Sequence, residues 1–406
     1  MLNFQPGSYL SKELELCSRQ NAHYYIAQDF VEGGKVQTTL AGKSRQTLFF
    51  RVQYVVDGRL SAERPYLFLK VSCTPSYENE AKMHRDIDNA CRQCTPNIIT
   101  AHHVKLIEAD RRSIQLFLLE FGSPLRHHLA MILRTTPDEL VVLSCFFQVL
   151  HAVATLHYKG FQHRDIHADN FVSAYYTRTV SQHYLIDGVH FSLPLRFGAL
   201  TMAPMLLDFG LAEPATSDSK LNNIEQSLPP DFIFFNRTLS YTNSDEMFST
   251  GLTLVTLSGL FKLPPLDTGI LSHIQSLFVE QMESASECVF DHLQVRNFVR
   301  LAEHAFRLVL LLGFPSQSEF PIFFASPVGR YLYGQISNYV YEMPEYNFLA
   351  RQESASMQVA RSLLRWRRVD RLSGKEALLQ AEFSVFRTTV SERCLDKPHF
   401  EWQLNV

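Results

Sequence analysis

Apolar and polar residues alternate with period two over 38–72. Leu48, Phe50, Val52 and Tyr54 share one side of the pattern, Asp57-Gly58 supplies a turn, and an apolar run resumes from Tyr66 to Val71. Short alternating runs joined by such a turn predict an antiparallel meander. The period then changes: Thr74-Pro75 ahead of YENEAKMHRDIDNA has the cap, first-turn proline and acidic residues that open a helix. Residues 114–120 read as one further strand. From Thr136-Pro137-Asp138-Glu139 the pattern is helical, with a capping box expected at its start. Leu140, Leu143, Phe147, Leu150 and Ala154 step by three and four along one face, and Lys159-Gly160 marks the stop. This stretch is apolar enough to suggest lipid, but Ser144, Gln148 and His151 interrupt it, which suits a buried helix better. Residues 255–355 read mostly as helices, 299–312 among them, and contribute no candidate site.

Composition narrows the class. Hydrophobic residues make up 46% and charged residues 19%, so the chain has apolar surface enough for a sizeable core and disorder is excluded as its general state. With 38 basic against 41 acidic residues, bulk electrostatics give no reason to expect a nucleic-acid partner. Seven irregularly spaced cysteines do not form a secreted disulfide framework. Cys91 and Cys94 form a CxxC with no second Cys/His pair at zinc-site spacing, which argues against structural metal. The opening MLNFQPGSYLSKELELC lacks a basic region leading into an apolar stretch, so neither a secretory leader nor a membrane span is expected. The expected location is intracellular, cytoplasmic or nuclear, or a host cell or virion if the source is viral.

The chemistry is concentrated after Gly160. FQHRDIHADNF holds His163, Arg164 and Asp165, with Asn170 five positions beyond the aspartate, and MLLDFG brings Asp208-Phe209-Gly210. Either tripeptide alone arises in loops by chance; together and in this order they resemble the protein-kinase signature. Phosphoryl transfer needs a group to orient the attacking hydroxyl, hard oxygen ligands for metal, and positive charge against the phosphates. The resemblance implies Asp165 as catalytic base, Asn170 and Asp208 as Mg²⁺ ligands, and ATP as phosphate donor.

The remaining positions follow the same family. Lys70 in FLKV is similar to the lysine that holds the nucleotide's α- and β-phosphates, with Glu80 as its ion-pair partner and Glu78 as the alternative. Leu118-Leu119-Glu120-Phe121-Gly122 resembles the hinge, which implies Leu119 as gatekeeper and backbone groups of Glu120 and Gly122 at the adenine edge. The glycine-rich loop departs from the pattern: LAGKSRQTLFF offers only Gly42, with Ser44 and Thr47 at the other two places, and Gly33-Gly34 lies further off. Pro229-Pro230-Asp231 resembles the motif that closes the activation segment, which implies an ion pair between Asp231 and Arg371. Asp245 resembles the helix aspartate that anchors the catalytic loop, with Glu246 as rival. Thr216, Ser217, Ser219 and Ser227 lie in the activation segment, where a phosphate could meet Arg164.

Two features set this chain apart from most of that family. His167 stands where Ser/Thr kinases usually carry lysine, as in haspin and the Ser/Thr kinases of large DNA viruses, and a histidine there offers a phosphate donor whose charge varies near neutral pH. A long insertion separates Asn170 from Asp208, with a hairpin expected at Asp187-Gly188. The resemblance implies an α+β, two-lobed fold: an extension over 1–37, a small antiparallel lobe with one helix over 38–119, and a larger, mainly helical lobe over 120–406. The insertion covers 171–206 and the activation segment 208–231. The implied activity is ATP- and Mg²⁺-dependent phosphorylation of Ser/Thr in a protein substrate. A pseudokinase scaffold and a small-molecule phosphotransferase of the aminoglycoside or choline kinase type stay open.

Overall fold

The computed structural model describes residues 35–43, 47–56, 59–60, 67–72, 78–99, 101–109, 112–120, 122–174, 181–216, 229–230, 241–262, 303–318, 320–325, 327–388 and 402–404. The chain divides into two compact units, one of 1–135, 169–213 and 388–406 and the other of 136–168 and 214–387. This division differs from a boundary at 119/120. Residues 122–135, the insertion and the C-terminal strand pack with the first unit, through strand pairings that no single cut in the sequence can express.

The first unit is built on an antiparallel sheet of β1 (Lys35–Lys43), β2 (Thr47–Val56), β3 (Arg59–Leu60), β4 (Leu67–Ser72), β5 (Ala101–Ala109) and β6 (Arg112–Glu120). The spatial order is β1-β2-β4-β6-β5, with β3 on β2. The alternating residues of the sequence therefore do form antiparallel strands, while the Asp57-Gly58 turn expected among them lies outside the described residues. Gly42 follows a register shift in β1 and pairs with Phe49. Helix α1 (Glu78–Cys91) joins β4 to β5. The Thr74-Pro75 start expected for it lies outside the described residues. Cys91 and Cys94 are buried and not joined in a disulfide.

After β6 the chain forms β7 (Gly122–Pro124) and α2 (Leu125–Thr135), and later β8 (Phe171–Ala174). The insertion follows as β9 (Ser181–Ile186), β10 (Val189–Pro194), β11 (Arg196–Phe197), β12 (Leu200–Thr201) and β13 (Pro204–Leu206). Asp187 and Gly188 both have positive φ, 51° and 78°, the left-handed pair that a two-residue hairpin turn requires. β8 pairs antiparallel with both β13 and β7. At Gly122 a Cβ would lie 2.7 Å from Val172 Cγ2 and 3.0 Å from the Ser173 carbonyl, so β7 reaches β8 only with glycine there. The C-terminal strand β14 (Trp402–Leu404) runs parallel to β9.

The second unit is helical. Helix α3 (Glu139–Tyr158) is its core: every residue from Val141 to Leu156 is buried. The single apolar face read from the sequence is therefore too narrow, and Leu140 at its start is only half-buried. A helix enclosed on all sides needs apolar residues all round, and its most apolar window is 89% buried within the protein. Its cap also differs from the expected capping box. Asp138, extended at φ −124° and ψ 132°, accepts from the Leu140 N–H at 2.9 Å. Glu139 instead accepts the Ser356 N–H at 2.6 Å. Pro137 disfavours helical backbone in the residue before it, which moves the start past Thr136.

The unit's other helices are α4 (Asn243–Ser258), α5 (303–312), α6 (Pro321–Ala325), α7 (Pro327–Glu342), α8 (Ala355–Leu363) and α9 (Gly374–Leu378), of which α4, α8 and α9 pack on α3. Phe147 of α3 meets Phe383 edge to face, with centroids 5.1 Å apart. A second cluster of Phe306, Val309, Leu310, Phe323, Leu332 and Val340 joins α5, α6 and α7.

Candidate functional site

In the first unit β4 presents Lys70, α1 presents Glu80, and the turn after β13 presents Asp208. Lys70 Nζ donates to Glu80 Oε1 at 2.6 Å and to Asp208 Oδ1 at 2.9 Å. Burial by itself disfavours the Lys70 ammonium, but the Asp208 and Glu80 carboxylates outweigh it and hold its pKa well above the ordinary lysine value. Burial pushes the Glu80 carboxyl up, against the attraction of Lys70 and with the repulsion of Asp208. Two carboxylates around one cation leave a net negative charge, which favours arrival of further positive charge.

The Asp208 side chain keeps 41% of its surface exposed while it pairs with Lys70. The register Leu206↔Phe171 places Asn170 and Asp208 at the same end of one antiparallel ladder, and the Leu207 N–H donates to the Asn170 carbonyl at 3.0 Å. Asn170 is 5% exposed. A carboxylate and an amide oxygen there fit a hard cation, and the accessible Asp208 side chain leaves room for its remaining ligands. Asp208 has φ 70°, in the left-handed region that costs a non-glycine residue about 1–3 kcal/mol. Leu119 and Glu120 end β6, opposite Phe68 and Leu67 of β4, and Gly122 begins β7. Gly42 sits in β1 one residue before its end, opposite Phe49 of β2.

In the second unit the segment after α3 carries His163, Arg164, Asp165 and His167. His167 Nε2 lies 3.4 Å from Asp165 Oδ2, with the two side chains 39% and 18% exposed. Arg164 has φ 66°, and its guanidinium lies over the Tyr241 ring at 5.6 Å. The Arg164 N–H donates to Glu246 Oε1 at 2.5 Å, while Glu246 Oε2 meets His157 Nε2 at 2.7 Å. Glu246, not Asp245, thus anchors this segment. Asp245 lies one position earlier on α4 and turns elsewhere: its Oδ2 accepts the Thr242 N–H at 2.9 Å, and its Oδ1 accepts from Arg368 at 2.8 Å and Arg371 at 3.2 Å. Helical geometry turns adjacent residues about 100° apart, so two neighbouring carboxylates serve different partners.

Arg371 is accordingly bound to Asp245 and to the carbonyls of Arg365 and Trp366. The partner expected from the sequence, Asp231, lies outside the described residues, as do Ser217, Ser219, Ser227 and the Gly33-Gly34 pair; Pro229 and Pro230 are buried. Glu78 opens α1, one helical position pair before Glu80, and Thr216 is exposed.

Sequence reasoning passed over His84 and Asn97. His84 stands one turn beyond Glu80 on the same face of α1, a spacing that could have flagged it. Its Nε2–H donates to the Ile99 carbonyl at 3.2 Å, and its ring meets Phe209 edge-on at 4.9 Å. Burial lowers its pKa to about 4. Asn97 had no local signal, because its partners are distant in the chain.

A model of the protein kinase domain matches residues 69–383. Over 245 residues the chain is 24% identical to the ovarian-specific serine/threonine-protein kinase Lok of Drosophila melanogaster, covering 59% of this chain and 44% of that one. The chain thus spans less than half the length of this curated relative. A crystal structure of a kinase domain superposes with a TM-score of 0.54 at 16% identity, covering 87% of this chain and 95% of the other, a likeness of fold.

Proposed function

Since this chain belongs to the protein kinase domain family, we propose that it transfers the γ-phosphate of ATP to Ser/Thr hydroxyls of a protein substrate. The observation that carries the reading is the Lys70 ammonium fixed between Glu80 and Asp208 at 2.6 and 2.9 Å. A cation clamped in this way is preorganised for phosphate oxygens and loses little entropy on meeting them. Asn170 and Asp208 hold Mg²⁺, which when bound neutralises charge on the phosphates. Backbone groups of Glu120 and Gly122 receive the adenine edge, with Leu119 behind it and Gly42 above the phosphates. Asp165 accepts the proton of the substrate hydroxyl. His167, 3.4 Å from the Asp165 carboxylate, orients it and offers a donor to the transferred phosphate.

The test is transfer of label from ATP to a mixture of proteins in the presence of Mg²⁺, with phosphoamino-acid analysis of the product. Asp165→Asn is expected to lower turnover by roughly 10²- to 10⁴-fold, as loss of a general base does, with unchanged ATP affinity. A wild-type chain that neither binds ATP nor transfers label would be a scaffold, and label found only in small molecules would point to the other phosphotransferase class.

A further inference from the structure

The insertion between Asn170 and Asp208 supplies none of the groups assigned above, yet it is built like a core element. Tyr184, Ile186, Phe191, Leu193, Leu195 and Met202 are each at most 1% exposed. Its hairpin is held along both edges of β9: β10 pairs on one side and β14 on the other, with Tyr184, Leu185 and Ile186 opposite Trp402, Gln403 and Leu404. The Thr388 N–H also donates to the His190 carbonyl at 3.0 Å. A segment fixed in this way can transmit position, which a solvent loop cannot.

What it reaches is Asn97, 1% exposed, in the connection between α1 and β5. Tyr184 Oη donates to Asn97 Oδ1 at 2.9 Å. Asn97 Nδ2 donates to the Pro204 carbonyl at 2.9 Å, and the Asn97 carbonyl accepts the Leu206 N–H at 2.8 Å. The Ile99 N–H donates to the Leu206 carbonyl at 2.9 Å. Asn97 and Ile99 thus grip β13 along its length, and β13 ends two residues before Asp208. The Pro204 carbonyl only accepts, so it fixes the NH₂ of the carboxamide toward β13, and the Tyr184 hydroxyl then serves as donor to the buried oxygen on the other side. Without that hydroxyl the buried Asn97 oxygen loses a donor and the carboxamide is held more loosely against β13.

We infer that Tyr184 is a positioning residue, through which the insertion fixes Asn97 and so the strand that carries Asp208 to its metal. The inference rests on the reading of Asp208 as a Mg²⁺ ligand, and its test separates the two. ATP affinity is measured with and without Mg²⁺ for the wild type and Tyr184→Phe, and amide hydrogen exchange at Leu206 and Leu207 is followed in the nucleotide-free proteins. In Tyr184→Phe, metal-free affinity is unchanged, the gain in affinity from Mg²⁺ falls roughly 2- to 10-fold, the range a single neutral hydrogen bond carries, and both amides exchange faster. In an Asn97→Ala background the same substitution has no further effect.

Equal Mg²⁺ enhancement and equal protection in Tyr184→Phe would overturn the inference. So would a parallel loss of affinity with and without metal, since that is the mark of a merely structural contact. A wild-type chain whose ATP binding ignores Mg²⁺ would instead remove the role of Asp208, and the exchange measurement alone then decides whether the brace exists.

Discussion

Replacing Glu246 by Gln tests whether this buried carboxylate, rather than its neighbour Asp245, holds the segment of Arg164 and Asp165. Glu246 is fully buried and takes the Arg164 N–H on one oxygen and His157 on the other. Burial by itself opposes its ionisation, but the hydrogen bond and charge of His157, the charge of His163 and the Arg164 N–H outweigh it and hold the carboxyl below the usual carboxylate range. Glutamine keeps the volume and the acceptor for Arg164, yet sets an amide donor 2.7 Å from the His157 nitrogen. Loss of a hydrogen bond to a charged group costs about 1.5–3 kcal/mol. For a unit of this size that lowers the melting temperature by about 3–12 °C.

Because Arg164 directly precedes Asp165, a slackened Arg164 N–H also displaces the carboxylate proposed as the base. Misplacement by about 1 Å costs on the order of 10²-fold, so kcat falls by roughly 10- to 100-fold while KM for ATP holds. The folded pKa is depressed, so the contribution is present above the unfolded carboxylate value and is lost as pH falls through the folded one. The gap in stability between wild type and variant therefore closes under acid conditions. Calorimetry across pH, with steady-state kinetics at pH 7, reads both effects, and Asp245→Asn serves as the comparison. That variant loses stability through Arg368 and Arg371 and retains kcat. A Glu246→Gln chain with wild-type melting temperature and kcat, or an Asp245→Asn chain with the larger loss of kcat, would refute the reasoning.

Two further outcomes follow from the packing. His84 is neutral when folded, with its pKa lowered to about 4 by burial. The unfolded chain takes up the proton first, so stability falls on acidification from about pH 6.5 to 4 by up to about 3 kcal/mol. His84→Gln keeps the donor to Ile99 without titrating and should flatten that slope in urea unfolding; a wild-type-minus-variant difference that does not vary with pH contradicts this. Gly374 admits no side chain, since a Cβ would lie 2.6 Å from Ala154 Cβ and 2.9 Å from Ala154 Cα in α3. Gly374→Ala is expected to lower stability by about 1–3 kcal/mol through overpacking, and an unchanged urea midpoint would show that α9 can move aside.

The sequence by itself determined what depends on neighbours in the chain. Period-two alternation announces the meander, Asp187-Gly188 has the residue types its left-handed turn requires, and Lys159-Gly160 ends α3 where a helix must lose its ladder. The sequence motifs also named Lys70, Glu80 and Asp208 together, and the fold brings these three side chains into contact. The tertiary structure decided the rest. It chose Glu246 over Asp245 for Arg164, gave Arg371 to Asp245, enclosed α3 on every side, and joined Tyr184 of the insertion to Asn97. Hydrogen bonds and ion pairs reach about 3 Å, whereas the residues that make these are far apart in the chain. Which of two adjacent carboxylates meets a given partner depends on how a helix is rotated in its packing, and that rotation is fixed only when the whole core closes around it.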